Sequence, residues 1–354
     1  MLAGVFHGEG DVRVEEVPDP GAPPPEGAVL RIVRSSVCGS DLWPYRGKGG
    51  WKAGWRTGHE MTGIVESVGD EVTSVAPGDL VVSAFAWSCG DCDRCRADLQ
   101  TSCRRSMFPG GADNEGGQAQ RVTVPLADGS LWKVPDGTPE ELYDQVHLLT
   151  DVLLTGYHAA KLAGVGQPGL GGAVADTAVV IGDGAVGLSG VVGAKLLGAT
   201  TIVAVGHHAD RLEHATGLGA THTIDLRGKD LHKAVLDITD GGAASVLECV
   251  GTTSALVDAT AVVSPGGSVG SVGVPHGVED ARWLGRLFSK NAALRAGVAP
   301  TSAYVEQVGP LVASGELDVS AIASDRFALE DLPAAYESMD RRECVKAIVL
   351  PQEA

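Results

Sequence analysis

Residues 177–211 read TAVVIGDGAVGLSGVVGAKLLGATTIVAVGHHADR. An apolar run at 178–181 leads into Gly182-Asp183-Gly184-Ala185-Val186-Gly187, and an apolar stretch of helical character follows over 185–197. A second apolar run, 201–205, comes next. A helix over 209–218 then carries Asp210 and Arg211 in its first turn. Strand, glycine turn, helix, strand is the context in which G-x-G-x-x-G binds a dinucleotide. Gly182 makes the turn, Gly184 lets the backbone approach a pyrophosphate, and Gly187 allows close helix–strand packing. The helix that opens at Ala185 and Val186 then points its N-terminus at the phosphates.

Outward from this unit the same alternation continues. Strands are expected at 245–250 and 268–272, separated by a helix over 254–263. Strands alternating with helices make a parallel, doubly wound sheet. Upstream, residues 1–150 are β-rich: short apolar runs at 28–34, 63–68 and 80–84 are bounded by Gly and Pro, as in a strongly bent or barrel-like sheet. A helix is expected over 151–162, two more over 303–314 and 329–339, and a closing strand over 345–350. The expected connectors are 140–143 and the Gly-rich 164–175.

The chain has 354 residues, which suits two domains. Its net charge of −18 argues against a nucleic-acid partner or a polybasic membrane surface. Its 49 Gly and 18 Pro fall short of the roughly 25–30% that marks low complexity. Residues 1–10 show no basic n-region and no apolar h-region, and the uncharged stretch 259–278 is broken by Pro265 and Pro275. A cytoplasmic protein follows, where disulfides are rare.

Seven cysteines therefore need another use. Four of them, Cys89, Cys92, Cys95 and Cys103, fall within one short loop. Zinc takes four ligands tetrahedrally, and thiolates suit closed structural sites. A disulfide pair is the competing reading, and the reducing compartment disfavours it. Four thiolates leave no open position, so this site is silent on catalysis.

Cys38-Gly39-Ser40-Asp41 and Gly58-His59-Glu60-x2-Gly63-x5-Gly69-x2-Val72 complete the pattern. Together with the four-Cys lobe and the glycine fingerprint, they resemble the zinc-dependent medium-chain dehydrogenase/reductase (alcohol dehydrogenase) family. The match is closest to its bacterial NADP-dependent secondary-alcohol members, and it spans essentially the whole chain. The resemblance implies a GroES-like catalytic domain (1–155 and 299–354, with a zinc lobe at about 88–104) plus a Rossmann domain (156–298). It places the active site in the cleft between them.

It further implies two zinc ions per chain. Cys38 and His59 would ligate the catalytic one, with Asp151 of Thr150-Asp151-Val152-Leu153-Leu154-Thr155 as third ligand. Asp151 and Thr155 would share a helix face, with Thr155 bordering the nicotinamide. Glu60 is either a fourth ligand or a nearby carboxylate exchanging with water. Asp41 would orient the ligating histidine, and Ser40 would take the alcohol's proton. Where much of the family has a relaying histidine, this chain has Trp43, so the relay is shorter or runs through water or the cofactor ribose. Trp43, Phe85 and Trp87 are expected to line the substrate pocket, with Trp51 and Trp55 flanking a Gly-rich loop that covers it. Cys249 and Cys344 are expected in the core, and Lys346 at the surface.

An NAD site carries an acid about 20 residues past the fingerprint for the ribose 2′-hydroxyl. That position is Gly206 here, followed by His207, His208 and Arg211. The missing acid leaves room for a 2′-phosphate and these residues offer donors, so NADP is favoured over NAD. The expected activity is hydride transfer between a small alcohol (in reverse a ketone or aldehyde) and that cofactor, in a homodimer or homotetramer. The rivals are a zinc-independent NADPH-dependent reductase of activated double bonds and a non-catalytic NADPH sensor.

Overall fold

The computed structural model describes residues 1–111, 115–168, 175–227, 230–239, 241–276 and 281–352. The chain divides into two compact units, Met1–Asp151 with Pro300–Ala354, and Val152–Ala299.

The first unit begins with a two-stranded antiparallel ribbon of β1 (Leu2–Gly8) and β2 (Asp11–Glu16). It continues through β3 (Ala28–Ser36), β4 (Met61–Val68), β5 (Leu80–Ser83), β6 (Arg121–Val124) and β7 (Leu131–Lys133). The second unit holds β8 (Thr177–Ile181), β9 (Thr201–Gly206), β10 (His222–Asp225), β11 (Ala243–Glu248), β12 (Val263–Ser271) and β13 (Ala293–Ala296). The chain then returns to the first unit with β14 (Asp325–Ala328) and β15 (Ala347–Leu350).

In the first unit the strands order as β14-β15-β3-β4-β5-β7, with β6 also paired to β3. Leu30, Ile32, Val65, Val81, Val122 and Val124 converge in its core. Each comes from the inward face of an alternating strand, which is how an antiparallel sheet buries one side. The register sets Ser35 opposite Met61. The end of β3 and the start of β4 are therefore neighbours, and the residues just past one and just before the other must meet.

In the second unit the order is β10-β9-β8-β11-β12-β13, and every pairing is parallel. The order reverses between β8 and β11, the switch point outside which such sheets bind ligands. Four of the five residues of β8 are buried, and Val179, Ile181, Val203, Val246 and Val269 form one core. Strands covered on both faces read as unbroken apolar runs, which is why this half was visible in the sequence.

Several of the elements not foreseen are polar or exposed, although β1, with four of seven residues buried, was not foreseen either. β10 and β14 are edge strands with mostly exposed side chains, and the helix Arg282–Lys290 buries only Leu287. Residues 140–143 do not connect the units: Glu140–Leu142 is a 3-10 turn within the first. Of the expected connector 164–175, residues 169–174 lie outside the described residues, as do residues 277–278 of the uncharged stretch. No helix among the described residues is long and apolar enough to cross a membrane.

Candidate active site

Cys38 lies two residues past β3, and His59 and Glu60 lie immediately before β4. Gly58 turns the chain into this position with φ of +92°. A side chain there would strike Gln118, with 2.5 Å to its Cγ, so the approach requires glycine. Asp151 arrives from a 3-10 turn, Leu148–Thr150, with φ −150° and ψ −80°. The following helix begins only at Val152, so Asp151 does not share a helical face with Thr155 as expected. The backbone of Thr150 is tied to the segment after β5, where its carbonyl accepts from Phe85 N at 3.2 Å.

These approaches bring ligand atoms of Cys38, His59, Glu60 and Asp151 within 4.8 Å of one another. Asp151 Oδ2 stands 3.7 Å from Cys38 Sγ and 3.5 Å from His59 Nε2. Bonds of about 2.0–2.3 Å to a tetrahedral zinc imply donor separations of roughly 3.3–3.8 Å. The other ring nitrogen, His59 Nδ1, faces Asp41 Oδ1 at 3.2 Å, and Asp41 Oδ2 accepts from Cys38 N at 3.0 Å. Asp41 therefore fixes both the ring and the turn that presents the thiol, as carboxylates behind metal-binding histidines do. Ser40 Oγ is 3.5 Å from His59 Nε2, on the side of the ring that faces Asp151.

Electrostatics point the same way. Burial pushes the Cys38 thiol up, and Glu60 and Asp151 add to it. Burial opposes charge on His59, but Asp41, Cys38 and Asp151 outweigh it and push the imidazole well up. Anionic groups are crowded together in a dry pocket, and Glu60 Oε1 is buried without a hydrogen-bond partner among the described residues. A divalent cation fits this donor set.

Lys346 corrects the sequence reading. It is 1% exposed rather than on the surface, and its Nζ donates to Glu60 Oε2. Burial alone would push the ammonium down; Glu60, Cys38 and Asp151 together hold it above its ordinary value. Ser36 Oγ donates to the same oxygen, and His147 contacts Ser36 in turn. Neither Ser36 nor His147 was singled out, and Lys346 was read as a surface residue. A lone lysine between Val345 and Ala347 in an apolar run was the available signal for a buried charge pair.

The aromatic residues divide. Phe85 packs edge-on to His59 at 6.2 Å and against Phe108 at 6.3 Å, beside the donors. Trp87 is fully buried among Val122, Val124 and Leu131, with Nε1 donating to Ser83 Oγ at 3.0 Å, so it is a core residue rather than a pocket wall. Trp43 sits half-buried in the one-turn helix Leu42–Tyr45, with Lys48 Nζ 5.8 Å from its ring. Trp51 packs on Phe6, and Lys52 Nζ lies 5.9 Å from the Trp55 ring.

In the lobe, Cys92–Cys95 and Cys89–Cys103 sulfurs are 3.5 Å apart, Cys92–Cys103 3.9 Å and Cys89–Cys95 4.0 Å. These are tetrahedron edges, far too long for a disulfide. Backbone N–H groups of Arg104 and Cys95 push the Cys92 thiol down, while burial pushes Cys89 and Cys95 up. None of the seven cysteines is in a disulfide.

In the second unit, Gly184 caps the helix Ala185–Leu196 and Gly182 N donates to Val205 O. A Cβ on Gly187 would stand 1.9 Å from Gly182 O. Gly187→Ala is expected to wedge the turn from the helix, costing about 1–3 kcal/mol and weakening dinucleotide binding. Thermal unfolding and quenching of nicotinamide fluorescence measure the two effects. At the end of β9 the space beside Gly206 is filled by a carboxylate from the fingerprint itself. Asp183 Oδ2 accepts from His207 N (2.7 Å), His208 N and His208 Nδ1 (both 2.9 Å). A Cβ on Gly206 would meet that oxygen at 2.4 Å, so Gly206 is required by Asp183. Arg211 is buried, and His207 is exposed. Thr155 is buried in the helix Val152–Leu162, and Cys249 lies just past β11, half-buried.

Sequence comparison agrees with the geometry. Residues 24–136 match the alcohol dehydrogenase GroES-like domain, and residues 185–314 match the zinc-binding dehydrogenase family. A probable zinc-binding alcohol dehydrogenase of Mycobacterium tuberculosis is 36% identical over 97% of this chain and 86% of its own length. The chain belongs to the zinc-dependent medium-chain dehydrogenases. It is an oxidoreductase acting on CH–OH groups. Zinc-type alcohol dehydrogenase B of Aspergillus flavus is 34% identical over 98% of this chain and 81% of that one. Among solved structures, alcohol dehydrogenase TADH from Thermus sp. ATN1 superposes with a TM-score of 0.88 at 33% identity, covering 99% of both chains.

Proposed function

We propose that the chain oxidises a small alcohol, and in reverse reduces a ketone or aldehyde, at a zinc held by Cys38, His59, Glu60 and Asp151. The convergence of these four donors beside Ser40 carries the reading. It also disfavours the zinc-independent reductase and the sensor, neither of which needs a second, asymmetric donor set. When bound, zinc supplies Lewis-acid polarisation of a hydroxyl or carbonyl oxygen, and a nicotinamide accepts or returns the hydride.

The chain's own residues do the rest. Asp41 keeps the His59 ring turned toward the donor cluster. Ser40 stands close enough to that ring to take the proton of a substrate hydroxyl bound there. Trp43 has no group that relays a proton, so the path onward from Ser40 does not run through that side chain. Phe85 supplies an apolar wall beside the site. Cys89, Cys92, Cys95 and Cys103 hold a second zinc whose role is structural.

NADP is the cofactor we favour. No carboxylate extends from the end of β9, and His207 and His208 follow Gly206 directly. The Asp183 carboxylate opposes a 2′-phosphate there, but three N–H donors already meet its charge. A cytoplasmic setting is part of the same reading and is supported by seven cysteines none of which is in a disulfide. So is a homodimer or homotetramer, supported by Leu284 and Phe288, 56% and 86% exposed on one helix. Sedimentation measures the assembly. The functional test is a panel of alcohols and carbonyls assayed with NAD and NADP in parallel. We expect turnover with the higher kcat/KM for NADP. A higher value with NAD sinks the cofactor assignment, and no turnover of any alcohol or carbonyl by zinc-loaded protein sinks the reading.

A further inference from the structure

Behind Glu60 runs a buried chain of hydrogen bonds whose direction is fixed by counting protons. The Ser36 hydroxyl has one proton and gives it to Glu60 Oε2. At its other contact, His147 Nε2 at 2.8 Å, the Ser36 oxygen must therefore accept. The imidazole then carries its proton on Nε2, which leaves Nδ1 to accept from Thr62 Oγ1 at 3.1 Å. Thr62, His147, Ser36 and Glu60 are all buried, and each donor in the series points toward the carboxylate. The ring is neutral in this arrangement, in keeping with burial, which pushes His147 down to about 3.

Three elements supply the chain. Ser36 ends β3, Thr62 is the second residue of β4, and His147 ends the helix Tyr143–His147. Lys346 donates to the same Oε2 from a fourth direction. One oxygen of Glu60 is thus held by two donors, while the other, Oε1, is buried and has no hydrogen-bond partner among the described residues. A second cation in place of the neutral pair would draw the carboxylate's charge away from the donor cluster. A neutral donor fixes its orientation and leaves the charge on Oε1.

We propose that His147 and Ser36 are positioning residues that hold Glu60 by Oε2 so that Oε1 is presented, as a single oxygen, to the zinc. This rests on the zinc reading of Cys38, His59, Glu60 and Asp151. Partners behind metal ligands of this kind are worth about 10–100-fold in metal affinity.

The test is competition for zinc by a graded series of chelators, run on the full chain, together with the visible spectrum after cobalt replaces zinc at the reactive site. Zinc retained by the four cysteines serves as the internal control of folding. Ser36→Ala and His147→Leu are expected to weaken the reactive-site zinc by about 10–100-fold and to shift the cobalt bands. His147→Gln carries an N–H donor and an oxygen acceptor at similar reach, and is expected to restore both. Wild-type zinc affinity and spectrum in Ser36→Ala and His147→Leu would overturn the proposal. So would a His147→Gln protein as weak as His147→Leu, since packing rather than donation would then be at work. A wild-type chain that binds only the four-cysteine zinc overturns the underlying reading itself, an outcome distinct from the other two.

Discussion

Cys38→Ala is expected to reduce turnover by roughly 1,000-fold or more while leaving one zinc per chain. The thiol is one of four donors around the proposed reactive zinc, and it stands 3.7 Å from Asp151. Removing it leaves His59 and two carboxylates, a set with weaker hold on zinc. The polarisation lost with the ion is worth several kcal/mol in the transition state, and each 1.36 kcal/mol is tenfold in rate. The folding cost is small by comparison, because the side chain is short and the four-cysteine zinc lies elsewhere in the unit. Turnover and zinc content on the same sample check this. Unchanged turnover would remove Cys38 from the reactive site.

Lys346→Met is expected to be the most damaging single change to stability. Lys346 and Glu60 are 1% and 0% exposed in their side chains. Removing one partner of such a pair strands the other, at about 3–5 kcal/mol. In a unit of this size that lowers Tm by roughly 10 °C. The loss should be larger in zinc-depleted than in zinc-loaded protein, because a bound dication supplies the counter-charge that the lysine gave. Lys346→Arg, which keeps the charge, should lose less. Calorimetry with and without chelator measures all three. A shift no greater than that of a surface substitution, about 0.5 kcal/mol, would contradict the buried pair.

How far these features could be read in the sequence depends on whether the interaction is local. The fingerprint Gly182–Gly187 and the cysteine lobe encode their sites within a few residues, so composition and spacing were enough. Cys38, His59 and Asp151 are distant in sequence, and only the resemblance joined them. The structure supplies the reason in the Ser35–Met61 register that sets the end of β3 beside the start of β4. Glu60 was legible as a site residue, but the partners behind it were not: Thr62, His147, Ser36 and Lys346 are ordinary polar residues until β4, the helix Tyr143–His147, β3 and the returning segment before β15 are packed together. Trp87 misled for a related reason: Phe85, two residues earlier, does face His59, and residues two apart in a regular strand share a side, but the chain bends at Phe85 and Ala86 and Trp87 turns into the core instead. Asp183 shows the limit of a positional rule. The space left by the glycine at 206 is occupied by the Asp183 carboxylate of the preceding turn, 24 residues earlier in sequence than His207, which accepts from the His207 backbone.

Anomalous diffraction at the zinc edge, from crystals of the zinc-loaded protein, tests the central claim most directly. The account expects two peaks per chain. One should lie among Cys89, Cys92, Cys95 and Cys103, and the other within bonding distance of Cys38 Sγ, His59 Nε2 and a carboxylate oxygen of Asp151. A single peak at the four cysteines, with Cys38, His59 and Asp151 bound only to one another, would contradict it.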